Sequence, residues 1–277
     1  MSETAALWGL GVDRAAIISP MFARDEFIYV GTVAPTQEDS RYRLARLTGS
    51  SPAVLDVGCA VGYIGEFLRR SSPARWLAGI EIDPGAAEKA RPHYDQVIVG
   101  SIDDPAVWGQ LRRKVDAMIF GDVLEHTADP IVVLRLARPK LSDDGLIVVS
   151  IPNIGYVKVR LRLLLGKFDY EDWGIMDRTH LRFFTLKTAQ EMLREAGFAI
   201  VHREGVHGYP LPEGLSPAAR LWARAKRRLR AWLTGLRPTV FANQFILVAV
   251  PVPAFSSAPP LAGEGRVGAQ RQESGQA

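Results

Sequence analysis

Cysteine is nearly absent from this 277-residue chain, with Cys59 its single example. That scarcity excludes a disulfide framework and a cysteine-built zinc site, and a reducing compartment is the natural expectation. The opening residues lack the basic stretch and apolar core of a secretory signal, because Glu3 and Asp13 interrupt them, so a cytoplasmic protein is expected. Long apolar runs are lacking too. The one long segment without charge, residues 238–263, contains Pro251, Pro253, Pro259 and Pro260, and a spanning helix does not survive so many prolines. It reads as a strand followed by a tail. There is no internal repeat.

Acidic residues are missing only locally: residues 217–237 hold seven basic side chains and no acid. With that segment set aside, the net +4 of the chain becomes −3 for the remainder. A uniformly basic nucleic-acid-binding surface is therefore not indicated, and no nucleic-acid partner is expected. At 47% hydrophobic and 23% charged, the composition is that of a globular protein with a sizeable core, not of a disordered or polytopic membrane chain. The length fits one large domain with insertions, or two small ones.

From about residue 36 to 150, short β-branched runs alternate with helical stretches: strands are expected at 53–57, 76–82, 96–99, 115–121 and 146–151. Strands separated by helices imply a parallel sheet covered on both faces. Asp83 before Pro84, Asp129 before Pro130, and Thr185 before Leu186 are cap residues that start three helices, and Gly197 stops the last of them. Beyond the fifth strand, residues 153–184 join a basic apolar helix at 156–165 to a polar, aromatic loop, which reads as a lid. Further strands are expected near 198–203 and 241–250, separated by an insertion at 207–238 that contains the basic helix. Residues 252–277, rich in Ala, Gly, Ser, Pro and Gln, are expected to be a disordered tail.

The strongest local signal is Val54-Leu-Asp-Val-Gly-Cys-Ala-Val-Gly62, a hydrophobic strand running into a glycine turn and then a helix at 63–70. Small residues let backbone approach a ligand, and a helix amino terminus offers N–H groups. Glu81 closes the next strand nineteen residues beyond Gly62, where a carboxylate can accept both hydroxyls of a ribose. A dinucleotide GxGxxG code anchored at Gly58 fails, because Ala60 and Tyr63 stand where its next glycines belong. The Tyr/Lys relay of a short-chain dehydrogenase fails as well, since Arg160 stands at the lysine's spacing from Tyr156.

The acid-first order Asp56, Gly58, Gly62 resembles the motif of class I S-adenosylmethionine-dependent methyltransferases, over roughly residues 36–251, with residues 1–35 as an extension before the domain. That resemblance implies a Rossmann-like α/β fold: a seven-stranded, mostly parallel sheet with an antiparallel last strand and helices on both faces. It implies S-adenosylmethionine as cofactor, held by Asp56, Gly58, Gly62 and Glu81. Asp122, followed by Val-Leu-Glu-His126, is similar to the segment that closes the cofactor pocket and faces the acceptor. The run from Phe168 to Phe184 resembles a signature of the ubiquinone-biosynthesis-type small-molecule branch, which includes enzymes of cell-surface polysaccharide pathways. Two positions depart from the family pattern. Ala60 replaces the middle glycine, and Ser101 stands where an acid contacting adenine is common, leaving Asp103, or the backbone and side chain of Ile102, for that task.

What the resemblance implies is methyl transfer to a hydroxyl of a small molecule or glycan. The sulfonium already makes the methyl group electrophilic, so the protein must align the acceptor and exclude water, with a base to take the hydroxyl proton. His126 and His180 are the candidate bases, with Asp177 available to orient an imidazole. Two bland roles compete: Asp122, Glu125 and His126 as caps of the helix at Pro130, and His180 as a loop-bonding histidine. Asp169, Glu171, Asp172 and Asp177 match no calcium-loop spacing, and no metal is expected. Tyr156, Tyr170, Trp173 and Phe183 are candidate acceptor-pocket walls. A nucleic-acid methyltransferase is the rival among enzymes, but no Asn-Pro-Pro-aromatic element follows the fourth strand; a noncatalytic binding module is the rival outside them.

On a helical wheel, Leu221, Trp222, Ala225, Leu229, Trp232, Leu233 and Leu236 fall within about 120°, and Arg220, Arg224, Lys226, Arg227, Arg228 and Arg230 lie outside it. One reading docks this stripe on the domain and wets the charges. The other makes the helix at 217–236 an interfacial one that meets anionic lipid, on the inner face of a membrane, or a phosphate-linked substrate. No motif speaks to oligomeric state.

Overall fold

The computed structural model describes residues 40–206 and 216–252. The extension at 1–35, the first part of the insertion and the tail beyond Val252 lie outside the described residues. α1 (Ser40–Leu47) leads into the alternation that follows: β1 (Ala53–Val57), α2 (Tyr63–Ser71), β2 (Trp76–Glu81), α3 (Pro84–Ala90), β3 (Gln96–Val99), α4 (Pro105–Gly109) and β4 (Val115–Gly121). A 3₁₀ turn at Leu124–His126, α5 (Pro130–Ala137), β5 (Leu141–Pro152), α6 (Val157–Leu164), α7 (Leu186–Glu195), β6 (Phe198–Val206), α8 (Pro217–Leu236), α9 (Pro238–Phe241) and β7 (Gln244–Pro251) complete it.

The seven strands form one sheet in the order β3-β2-β1-β4-β5-β7-β6. β1 to β5 run parallel, and β7 lies antiparallel between β5 and β6. The expected fold class is therefore the one present. β1 is buried at every position, as a central strand covered on both faces must be. Its pleat deals Ala53, Leu55 and Val57 into a core with α4, α5 and α7, while Val54 enters the opposite core with α1, α2 and α3. Asp56 follows Val54 onto that second face, which decides its partners.

The expected caps are in place: Asp83 accepts from Ala86 N at 2.6 Å, Asp129 from Ile131 N at 3.1 Å, and Thr185 forms a capping box with Thr188. Asp129, not Asp122, Glu125 or His126, caps the helix at Pro130, so that bland role for the three residues falls. Three strand boundaries differ from expectation by three residues or more, and β6 runs on to Val206, three residues beyond its expected end. β5 begins at Leu141, five residues early, because Ser142 bonds Val115 O and Asp116 beside it despite its Asp-Asp-Gly sequence. β7 begins at Gln244, because Pro238 initiates the short α9 where a strand was expected.

Candidate active site

At the carboxyl end of β1 the chain turns sharply. Gly58 and Gly62 adopt φ of +73° and +91°, and Gly58 N donates to Ile80 O at 2.8 Å, binding the turn to β2. A Cβ at Gly58 would lie 2.4 Å from Cγ2 of Val123. Glycine is thus required for space as well as for φ. Ala60, at the position where the family pattern has glycine, also sits in the left-handed region at +46°, a conformation that costs an L-residue about 1–2 kcal/mol.

Glu81 at the tip of β2 accepts from Ala60 N at 2.8 Å and from Asp83 N at 2.9 Å, one bond per carboxylate oxygen. Each oxygen keeps a lone-pair site for a ribose hydroxyl. Burial raises the Glu81 pKa against the pull of those N–H donors. No side chain caps α2, so its amino terminus opens onto the same turn. The cradle fits a nucleoside with a short charged tail.

Asp56 is only 2% exposed and accepts from Tyr94 Oη at 2.6 Å, while Tyr94 Oη accepts from Gly65 N at 3.0 Å. It therefore anchors α2 and its turn from beneath. Burial lifts its pKa to about 7, against the Tyr94 hydrogen bond. Cys59, buried beside it, has its thiol pKa pushed far up by burial and by Asp56 and Glu81, which leaves it inert.

Beyond β3, Asp103 N donates to Ser101 Oγ at 3.2 Å, and Ser101 Oγ donates to Asp103 at 3.4 Å. The carbonyl of Ile102 accepts from the buried indole of Trp108 at 2.8 Å. Of these three residues, Asp103 supplies the carboxylate, and Ile102 packs on the core beside it.

Asp122, after β4, is another left-handed residue at φ +54°. Its N–H donates to Ser150 Oγ at 3.0 Å, and its Oδ1 accepts from Ser150 Oγ at 2.9 Å and from Gln244 Nε2. Burial raises its pKa. Three residues on, Glu125 is 1% exposed and neither carboxylate oxygen has a hydrogen-bond partner, so burial drives its pKa well above the usual carboxylate range.

The two candidate bases, 54 positions apart, meet over this carboxyl group: the rings of His126 and His180 lie 4.8 Å apart, edge to face, and His180 Nε2 is 4.0 Å from Glu125 Oε1. The 3₁₀ turn presents His126, and the lid closes over it because Leu181 N and Arg182 N both donate to Glu125 O. His180 Nδ1 faces the Ile175 carbonyl at 3.2 Å, which fixes the proton there and leaves Nε2 as the acceptor. Burial lowers both imidazole pKa values, that of His126 to about 4. Asp177 bonds neither ring directly. It accepts from Thr179 N and Oγ1 at 2.8 and 2.7 Å, and Thr179 O lies 3.2 Å from His126 Nδ1, so its orienting effect is exerted through Thr179.

Phe183 stands 6.1 Å from His180 and packs with Phe168 and Tyr170. Two of the expected walls, Tyr170 and Phe183, therefore belong to one aromatic cluster beside the histidines, whereas Trp173 is 62% exposed. Asp169 and Glu171 pair with Arg162, and Asp172 with Arg178. Among the described residues, the group with metal-ligand spacing is a different one: Glu125, His126 and His180 offer donor atoms all within 4.8 Å of one another, a carboxylate-and-imidazole set suited to a transition-metal dication.

Sequence reasoning passed over Tyr94, Ser150, Thr179 and Gln244. Ser150 and Gln244 lie 28 and 122 positions from Asp122 and reach it only because β5 and β7 are successive neighbours of β4. No local signal marks them.

A doubly wound sheet with a glycine turn and a carboxylate at the tip of the next strand is the architecture of nucleotide-type cofactor binding. A family model described as a methyltransferase domain matches residues 34–203, and the chain belongs to that family. Its residues 34–203 are thus a methyltransferase domain, of the kind that uses S-adenosylmethionine as cofactor. Among curated relatives it is similar to ubiquinone biosynthesis O-methyltransferases. The one from Cereibacter sphaeroides is 25% identical over 166 residues, 55% of this chain and 62% of that protein. The one from Azorhizobium caulinodans is 29% identical over 106 residues, 36% of this chain and 40% of that one. The matches thus span less than two thirds of these relatives. Among solved structures, a SAM-dependent methyltransferase from Archaeoglobus fulgidus matches with a TM-score of 0.51 at 17% identity, covering 76% of this chain and 91% of that one. A plantazolicin methyltransferase bound to a substrate analogue and SAH matches with a TM-score of 0.51 at 15% identity, covering 78% and 87%. These two likenesses show the fold.

Proposed function

We propose that this methyltransferase acts on a hydroxyl of a small molecule or a saccharide, with His180 as the base. The observation that carries this reading is the meeting of His126, His180 and Glu125 at the carboxyl edge, beside the segment that ends β4. When bound, the cofactor supplies an electrophilic methyl group. The glycine turn, with Glu81 and the residues at 101–103, would hold it, and Asp122 would form the floor toward the acceptor. Phe183, with the half-exposed Phe168 and Tyr170 beside it, offers an aromatic wall for the acceptor. The hydroxyl proton passes to Nε2 of His180, neutral at pH 7 because burial lowers its pKa. The imidazolium so formed lies 4.0 Å from the Glu125 carboxyl group, whose ionisation burial opposes.

Glu81→Ala and His180→Ala separate the roles. Calorimetry with S-adenosylhomocysteine is expected to give little or no heat with Glu81→Ala and normal heat with His180→Ala, whose turnover falls by roughly 10²–10⁴, the usual worth of a general base. Unchanged turnover in His180→Ala removes it from the mechanism. The two unpartnered Glu125 oxygens favour a second reading, in which a dication on Glu125, His126 and His180 polarises the hydroxyl instead. Activity abolished by a chelator and restored by an added dication would select that reading; chelator-resistant turnover selects the base.

A further inference from the structure

α8 wears its apolar stripe outward. The face it turns to the protein holds Ala223, Arg227, Arg230 and Thr234, of which Thr234 is buried and bonds Phe241 O at 3.2 Å. The stripe is centred roughly 150° away around the helix: Leu221, Trp222, Leu229, Trp232 and Leu236 are 71%, 67%, 55%, 61% and 59% exposed, and Leu233 at its margin is half-buried. The arrangement in which the stripe docks on the domain is therefore not the one adopted. On the wheel, exposed Arg224 and Arg228 border one side of the stripe and exposed Lys226 the other, with Lys226 Nζ 4.8 Å from the Trp222 ring.

The occupant that fits is anionic and apolar in layers. A second copy does not fit, because it would bring another seven cations and no acid from residues 217–237 against the same face. Among the described residues no helix is long and apolar enough to cross a membrane, so any lipid contact by α8 is made along a surface. Its place in the fold is the second observation. β6 ends and β7 begins at the paired residues Val206 and Gln244, and α8 and α9, which lead into β7, lie at the carboxyl edge that carries Gly58, Glu81 and Asp122. α6 leaves the same edge after Pro152, with Leu164 and Leu165 82% and 74% exposed.

We propose that α8 docks the enzyme on an anionic phospholipid surface, site-bearing edge toward the bilayer, and that the acceptor hydroxyl belongs to a membrane-borne, lipid-linked molecule. The second half rests on the hydroxyl-transfer reading above; the docking itself does not.

The test uses the full chain with vesicles of phosphatidylcholine alone and of phosphatidylcholine mixed with phosphatidylglycerol. Cosedimentation is expected with the mixed vesicles only. Arg224→Glu, Lys226→Glu and Arg228→Glu together weaken it by at least roughly a hundredfold, the loss of three cations at a charged surface before the repulsion of the new carboxylates is counted. Trp222→Ser with Trp232→Ser weakens it at least about tenfold. Both variants retain S-adenosylhomocysteine binding, which shows the fold and cradle intact. Absence of binding, equal binding to neutral vesicles, or binding indifferent to both variants overturns the docking. So does concentration-dependent self-association that the Trp double variant abolishes without any vesicle binding, since the stripe would then be a protein interface. With methyl-labelled cofactor and membranes from the source cell, label is expected in the lipid extract. Label confined to water-soluble products overturns the acceptor half. Failure of S-adenosylhomocysteine to bind while vesicles still bind would instead strike the transfer reading and leave the docking standing.

Discussion

Ala60 shows how a single side chain tests the cradle. Its left-handed φ stores about 1–2 kcal/mol that glycine would not incur, while glycine loses about 0.5–1 kcal/mol more chain entropy on folding. Ala60→Gly is therefore expected to raise the melting temperature by a few degrees at most and to leave cofactor affinity within a few-fold; a clear drop in thermal midpoint would contradict the strain. The buried titratable groups work on pH in opposite directions. His126 titrates near 4 in the folded state against about 6.5 unfolded, so the unfolded chain binds more protons between those values, and this contribution to stability is lost as pH falls from about 6.5 to about 4. Asp56, near 7 when folded against an ordinary 3.8, binds its proton more readily in the native state, so its contribution is full below pH 3.8 and fades as pH rises through about 7. Asp56→Asn is expected to flatten the decline of stability between pH 4 and 7 in urea titrations. An unaltered slope would show that Asp56 does not hold a proton there.

Elements are joined at the carboxyl edge by one buried side chain. Asn153, wholly inaccessible, donates through Nδ2 to Ala242 O at 2.8 Å and accepts from Gly155 N at 2.9 Å. It thereby fixes the start of the lid to the end of the α8–α9 insertion. Asn153→Ala leaves those backbone groups without their partner, and the expected loss is about 1–3 kcal/mol in urea unfolding. Methyl transfer should suffer more than cofactor binding, because the lid carries His180. Equal stability of variant and parent would show that the lid is held elsewhere. The caps at Asp83, Asp129 and Thr185 were legible in sequence because each acts within three residues on its own chain segment. The start of β5 was not, since Asp143, Asp144 and Gly145 carry a turn's composition and form an irregularity between the pairing of Leu141 with Val115 and that of Leu146 with Ala117.

For the molecule as a whole, the cradle couples ligand to stability by mass action. Saturation with S-adenosylhomocysteine at about a hundred times its dissociation constant adds roughly 2.7 kcal/mol, which for a domain of this size means a rise of about 5–10 °C in Tm. Glu81→Ala is expected to remove most of that rise; a full rise in the variant would take Glu81 out of the cofactor site. The same scale holds the order of strands. Placing β7 between β5 and β6 brings Gln244 to Asp122, and it sets the basic insertion on the edge where chemistry occurs.

The amino-acid sequence by itself determined the alternation of strands and helices, the glycine turn with its carboxylate at Glu81, and the family. Each is written within one element or across one turn, where hydrophobic period, φ demands and capping act over a few residues. Only the tertiary structure decided that Asp56 lies beneath the turn on Tyr94, that His126 and His180 share Glu125, and that the Leu and Trp stripe of α8 looks outward. Those outcomes depend on which residues the packing brings together across tens of positions. A helix's periodicity fixes which side chains share a face, but not which way that face will point.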